Sequence, residues 1–262
     1  SHLNSYTGKW SSSTPMSTPR AKFGGAVVGK KIYLFGGIQA SKEGYIILKS
    51  MEVYDCTTNI YTQLRPMPEP RYGFGAAALD EFIYVAGGTS LSSERSVVYH
   101  YCISTKIWQE VKRMNISKRK NCLIALNGYL YAIGDGRNSF EQFNPLTNEW
   151  KIIETEIYLS SPIAAAHDGK IYVYDYLKDL FREYCPQNNI WRGLPPFPER
   201  MQDSALVSFD DKLWMIGGYD CHQLQTSRFI FEFNTNTKKW KRLQDMDVPL
   251  RSHCCLVVNP NK

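Results

Sequence analysis

Apolar residues along this chain fall in short runs cut by turn formers. Ala26-Val27-Val28 is followed by Gly29-Lys30 and then by Ile32-Tyr33-Leu34-Phe35, which stops at Gly36-Gly37. The same succession returns as Gly75-Ala76-Ala77-Ala78-Leu79 with Ile83-Tyr84-Val85-Ala86, again closed by two glycines. It returns as Leu123-Ile124-Ala125-Leu126 with Leu130-Tyr131-Ala132-Ile133, and as Ile163-Ala164-Ala165-Ala166 with Ile171-Tyr172-Val173-Tyr174. Ala205-Leu206-Val207 with Leu213-Trp214-Met215-Ile216 is the last full copy. Runs this short between turn residues predict strands, and the helical period persists nowhere.

A second pattern is a set of eight-residue segments at 54–61, 101–108, 143–150, 184–191 and 233–240, with a weaker copy at 3–10. Each begins with an apolar residue, aromatic in all but the weak copy, holds turn formers inside, and ends in Trp or Tyr. Asn, Lys or Gly stands two residues before the end. This predicts β-hairpins: Asx and Pro start the turn, Asn or Gly accepts positive φ, and aromatics suit the flanking strands. One such hairpin is not stable alone, so six imply an array that buries them against one another.

Taken together, each repeat has four strands, and Tyr33, Tyr84, Tyr131, Tyr172 and Trp214 recur every 41 to 51 residues. That period and strand count predict the blades of a β-propeller. The interval from the second glycine position to the next hairpin is uneven: 16, 12, 7, 7 and 14 residues. One side of the rim should therefore stand higher, and Tyr45-Ile46-Ile47-Leu48 in the longest interval either forms a lip or begins the third strand.

Composition changes this picture little. With 43% apolar and 13% aromatic residues the chain can fill a sizeable core. A net charge of +6 favours an acidic partner without indicating nucleic acid. Seven cysteines without metal-type spacing fit a reducing, cytoplasmic or nuclear setting. No apolar run reaches the roughly 18 residues of a membrane span. The chain opens at Ser1 rather than Met, as an excised fragment would.

Pro15-Met16-Ser17-Thr18-Pro19-Arg20 and Pro66-Met67-Pro68-Glu69-Pro70-Arg71, with the double glycines and hairpin aromatics, resemble the Kelch repeat. The style looks like the propeller of BTB-Kelch (Kelch-like) ubiquitin ligase adaptors. Asp135 in one glycine position and Asp175-Tyr176 in a whole pair depart from it, and imply a different turn there. The resemblance implies an all-β, six-bladed propeller with four antiparallel strands per blade. Blades are expected at 20–66, 71–113, 118–154, 159–195 and 200–244, with 1–12 plus 251–259 making the remaining one. The C-terminal strand would close the ring by pairing with the N-terminal blade, whose second strand would lie upstream.

The resemblance further implies a non-catalytic protein-interaction module without a cofactor. It would be the substrate-recognition domain of a cullin-3 adaptor, binding a short acidic or phosphorylated segment. Cullin-3 and a second copy would be reached through a BTB region outside this chain. Its binding face is built from loops entering each first strand and loops between second and third strands. On the entering loops this points to Lys22, Arg71, Tyr72, Arg119, Lys120, Ser161, Arg200, Gln202 and Ser252. On the other set it points to Ile38, Thr89, Arg137 and Tyr219. A ring of bases there suits an acidic peptide through charge-assisted hydrogen bonds. The bland alternative is that the motif arginines bond backbone within the fold.

An actin-associated scaffold is the second reading. A copper oxidase of the galactose-oxidase type is remote, because the five histidines are scattered at 2, 100, 167, 222 and 253. Cys221-His222 with His253-Cys254-Cys255 makes a weak metal candidate, since the spacing is wrong for zinc. Lys238-Lys239 with Lys241-Arg242 reads as a solvated strand edge, so neither a nucleic-acid nor a membrane partner is expected.

Overall fold

The computed structural model describes residues 2–4, 9–11, 13–91, 95–135 and 137–258. Five four-stranded antiparallel sheets follow one another in chain order, and no helix occurs among the described residues. Sheet one comprises Gly24–Val28, Lys31–Phe35, Met51–Asp55 and Ile60–Leu64. Sheet two comprises Gly75–Leu79, Phe82–Ala86, Val98–Cys102 and Ile107–Val111. Sheet three is Asn121–Leu126, Tyr129–Gly134, Arg137–Asn144 and Glu149–Leu159. Sheet four is Pro162–His167, Lys170–Asp175, Leu180–Cys185 and Ile190–Gly193. Sheet five is Ala205–Phe209, Lys212–Ile216, Ile230–Asn234 and Lys239–Arg242.

Each sheet packs face to face on the next, which is why the second strands read as unbroken apolar runs rather than alternating ones. Phe35, Met51, Ile83, Val85 and Tyr101 form the core between sheets one and two. Tyr84, Val98, Leu130, Phe143 and Trp150 fill the next interface, and Tyr131, Phe140, Ile171 and Tyr184 the one after. Tyr172, Phe181, Leu213 and Phe233 join sheets four and five. The first strands of successive sheets lie beside one another and so surround the centre.

The hairpins take the expected form. The residue two before the end is left-handed in all five: Asn59 at φ 58°, Lys106 at 60°, Asn148 at 55°, Asn189 at 55° and Lys238 at 56°. The hairpin tryptophans differ in depth, Trp150 being buried while Trp108, Trp191 and Trp240 are half-buried. Three of them tie a sheet to the segment before it. Trp108 Nε1 donates to Arg65 O at 3.2 Å, Trp150 Nε1 to Lys112 O at 2.8 Å and Trp240 Nε1 to Pro195 O at 3.3 Å.

Closure departs from expectation. The tail 251–258 forms no strand, and residue 259 lies outside the described residues. In place of a strand ladder, Ser252 N donates to Asp203 O and Lys22 N to Ser252 O, both at 3.0 Å. Cys254 and Leu256 lie over Gly25 of sheet one, while Cys255 and Trp10 pack on Ile216, Ile230 and Met246 beside sheet five. Trp10 belongs to a short hairpin, His2–Asn4 with Lys9–Ser11. The gap between sheets five and one is thus bridged by packing and single backbone bonds.

Candidate functional site

The sheets present two faces. On one, segments entering the first strands lie against the loops between second and third strands: Ala21 and Ile38 bond each other reciprocally at 2.9 and 2.8 Å. Tyr72 pairs with Thr89 and Gln202 with Tyr219 in the same way. The hairpin tips are on the other face, beside the turns joining first and second strands, where Cys56 N donates to Lys30 O at 3.0 Å.

At the centre of the loop face, backbone bonds run from sheet to sheet around the channel. Gly73 N donates to Lys22 O, Lys22 N to Ser252 O, and Ser252 N to Asp203 O, each at 3.0 Å. Lys22, Gly73, Asp203 and Ser252 all carry positive φ, between 53° and 63°, which turns each chain sharply into its strand. These four, with Lys120 and Ser161, line a mouth of about 220 Å³ whose deeper wall includes Asn121, Tyr174, Tyr176 and His253. Burial without a partner drives the His253 ring down to about 4, so it is a neutral wall group.

Of the sequence-selected residues, Lys22, Lys120, Ser161 and Ser252 line this mouth. Tyr72 and Arg119 flank it: each is the neighbour in sequence of a lining residue, Gly73 or Lys120, and the Arg119 and Lys22 charges both reach the Tyr72 phenol. Ile38, Thr89, Gln202 and Tyr219 are half-buried in the short pairings around the rim, and Arg251 lies over the Tyr219 ring at 5.0 Å. Arg137 begins a strand of sheet three, and its side chain is outside the described residues.

Arg71 is buried and does not face the channel, whereas Arg200 stays exposed. Arg71 is 1% exposed, its guanidinium bonded to Gly87 O at 2.6 Å and to the Glu69 carboxylate. Arg20 does the same with Gly36 O and Glu52, and Lys118 reaches Gly134 O at 3.4 Å. These bases cap the carbonyl at the first glycine position of their own sheet. Arg200 donates to Tyr176 O and Leu177 O of sheet four at 3.0 and 3.3 Å. Burial thus takes Arg20, Arg71 and Lys118 out of the basic ring and leaves an arc of Lys22, Arg119 and Lys120, with the exposed Arg200 tied to the sheet-four loop.

Asp203 was missed because Arg200 resembles the motif base. Strand register shows that Met201 holds that position: it pairs with Asp220 as Arg71 pairs with Ser90. Counting two residues on from Met201 leads to Asp203, whose carboxylate accepts from Ser252 Oγ at 3.0 Å.

The rim is uneven, as the loop lengths suggest. Over sheet one stands a separate hairpin, Ile38–Ser41 with Gly44–Ile47, and over sheet five the pair Tyr219–Asp220 with Gln225–Thr226. Tyr45 and Ile46 belong to that first hairpin, not to the third strand, and are 56% and 54% exposed. The Tyr45 ring meets Tyr72 edge-on at 6.0 Å. The neighbouring Tyr45 phenol, with Thr89, Arg119 and Lys22 nearby, holds Tyr72 below its ordinary value. Over sheet four Asp175 replaces the glycines: its carboxylate accepts from Ser160 N at 2.6 Å, Ser161 N at 3.1 Å and Leu177 N at 3.0 Å. Among the described residues no three His, Cys, Asp or Glu gather to hold a metal ion, so the Cys221–His222 and 253–255 groups do not assemble one.

Residues 2–175 match the family model KLHDC2/KLHL20/DRC7 Kelch-repeats domain. Human Kelch-like protein 23 is 22% identical over 91% of this chain and 44% of its own length. Mouse Kelch-like protein 35 is 26% identical over 84% of this chain and 39% of its own. The chain thus spans less than half of these relatives. The solved structure of YjhT superposes with a TM-score of 0.76 at 16% identity, over 92% of this chain and 88% of that one.

Proposed function

This chain belongs to the Kelch-repeat family, and from that premise we propose that its loop face recruits an acidic segment of a partner protein. The observation that carries this is the channel mouth, where Lys22 and Lys120 stand exposed over a well lined by both polar and apolar side chains. None of the ion pairs among the described residues involves Lys22, Arg119 or Lys120. Cations left unpaired on a rigid rim are free to take carboxylates or phosphates, and Arg119 adds forked, bidentate geometry. The propeller supplies stiffness and the loops supply chemistry.

In a full-length protein this module would select the substrate of a cullin-3 ubiquitin ligase, with cullin-3 and a second copy held by a BTB region. The module itself performs no catalysis. The seven free cysteines suit the reducing cytoplasm or nucleus. A photo-crosslinking residue placed at Tyr72 should capture the partner, and one at Leu146 on the opposite face should not. The full-length protein should also co-precipitate cullin-3. Equal capture from both faces would refute the site, and absence of cullin-3 would refute the ligase role.

A further inference from the structure

The hairpin over sheet one carries chemistry that the basic arc alone does not use. Its two strands share four paired positions, from Ile38 with Ile47 to Ser41 with Gly44. So short a ribbon gains little by itself, yet it holds a tyrosine and an isoleucine out in water. Side chains alternate across a ribbon, so Tyr45 faces Tyr72 and Ile46 points to the other side. The Tyr45–Tyr72 pair forms an aromatic corner whose rings meet at 75°. Tyr72 directly precedes Gly73, whose amide bonds Lys22 O, so the corner stands beside the first cation of the arc. Arg119 acts on both phenols.

An apolar seat next to unpaired cations is complementary to an apolar side chain next to an acid. We propose that the loop face recognises a two-part motif, an acidic residue adjacent to an aromatic or large aliphatic one, with the apolar side chain seated on Tyr45 and Tyr72. This rests on the reading of the loop face as an acidic-segment site. The acid, held by Lys22 and Arg119, provides attraction and approach, while the aromatic corner provides discrimination among acidic sequences.

The test is selection of a random dodecapeptide phage library on the chain, followed by synthetic peptides. Enriched sequences should place Asp or Glu beside Phe, Trp, Leu or Ile. Tyr45→Ala should weaken the best peptide about tenfold, the loss expected of one seated apolar side chain. A peptide with that apolar residue changed to Ala should bind wild type and Tyr45→Ala alike. Ile46→Ala should bind as wild type does, and both variants should melt as wild type because the two side chains are exposed. Acidic sequences enriched without an apolar neighbour, or equal losses for Tyr45→Ala and Ile46→Ala, would overturn the two-part motif and leave the acidic site standing. Enrichment without acid, insensitive to Lys22→Glu, would overturn both. Binding to phosphatidylserine vesicles that is lost with Tyr45→Ala, with no peptide enriched, would replace the peptide by a membrane surface.

Discussion

Arg71 Nη1 donates to the carbonyl oxygen of Gly87 at 2.6 Å, across a sixteen-residue span that Arg20 repeats to Gly36 at 2.9 Å. Each guanidinium is buried and paired with a carboxylate, the half-buried Glu69 for Arg71 and the buried Glu52 for Arg20. Truncating Arg20 takes the cation from a buried carbonyl and from Glu52, which keeps only Ser17 as a donor, and this is costly in a dry site. Arg20→Met should therefore destabilise the fold by roughly 3 to 5 kcal/mol. Arg20→Lys should cost less, since Lys118 fills the matching place in sheet three. Urea denaturation of the three proteins checks this, and equal midpoints would contradict it.

His253 makes stability depend on pH at the ring closure. Its ring lies against Gly217 with neither nitrogen bonded, and burial holds it at about 4, below the ordinary 6.5. Below pH 6.5 the unfolded chain takes up a proton that the folded chain refuses, so folding weakens as pH falls and levels off below 4. The gap corresponds to about 3 kcal/mol. His253→Asn, the residue found as Asn121 in sheet three, should flatten the stability profile between pH 4 and 6.5. An unchanged slope in that window would refute the assignment.

Much of the fold was legible because both faces of each sheet are covered, so second strands announce themselves as apolar runs and hairpins as aromatic pairs. The left-handed hairpin position could be read from Asn59, Asn148 and Asn189, and Lys106 and Lys238 follow by register. The site was only partly legible. Arg71 and Lys22 look alike as charges, and only depth separates a base spent on Gly87 from one facing the channel. Asp203 hid behind a one-residue offset, and the Tyr45–Tyr72 corner joins residues from different loops. Closure was not legible, because among the described residues a tail with strand-like composition is placed by contacts to Gly25 and Asp203 rather than by a ladder.

Among seven cysteines, Cys102 should react first. Hydrogen bonding from Ser104, then Thr105, stabilises its thiolate and brings it to about 7 at an exposed hairpin. Burial pushes Cys122 and Cys254 up to about 12. At pH 7.5 a disulfide reagent should show one fast thiol, since the thiolate is the nucleophile. Cys102→Ser should remove that phase, and a surviving fast phase would place the reactive thiol elsewhere.

The central claim is that the loop face binds acid through Lys22 and Lys120. Its most direct test is the affinity of Lys22→Glu/Lys120→Glu for an acidic peptide or captured partner, beside wild type and at two salt concentrations. Both side chains are exposed, so the melting temperature should stay within about 2 °C. Affinity should fall at least about tenfold, and the wild-type advantage should shrink as salt rises. Unchanged affinity in a folded double variant would contradict the account.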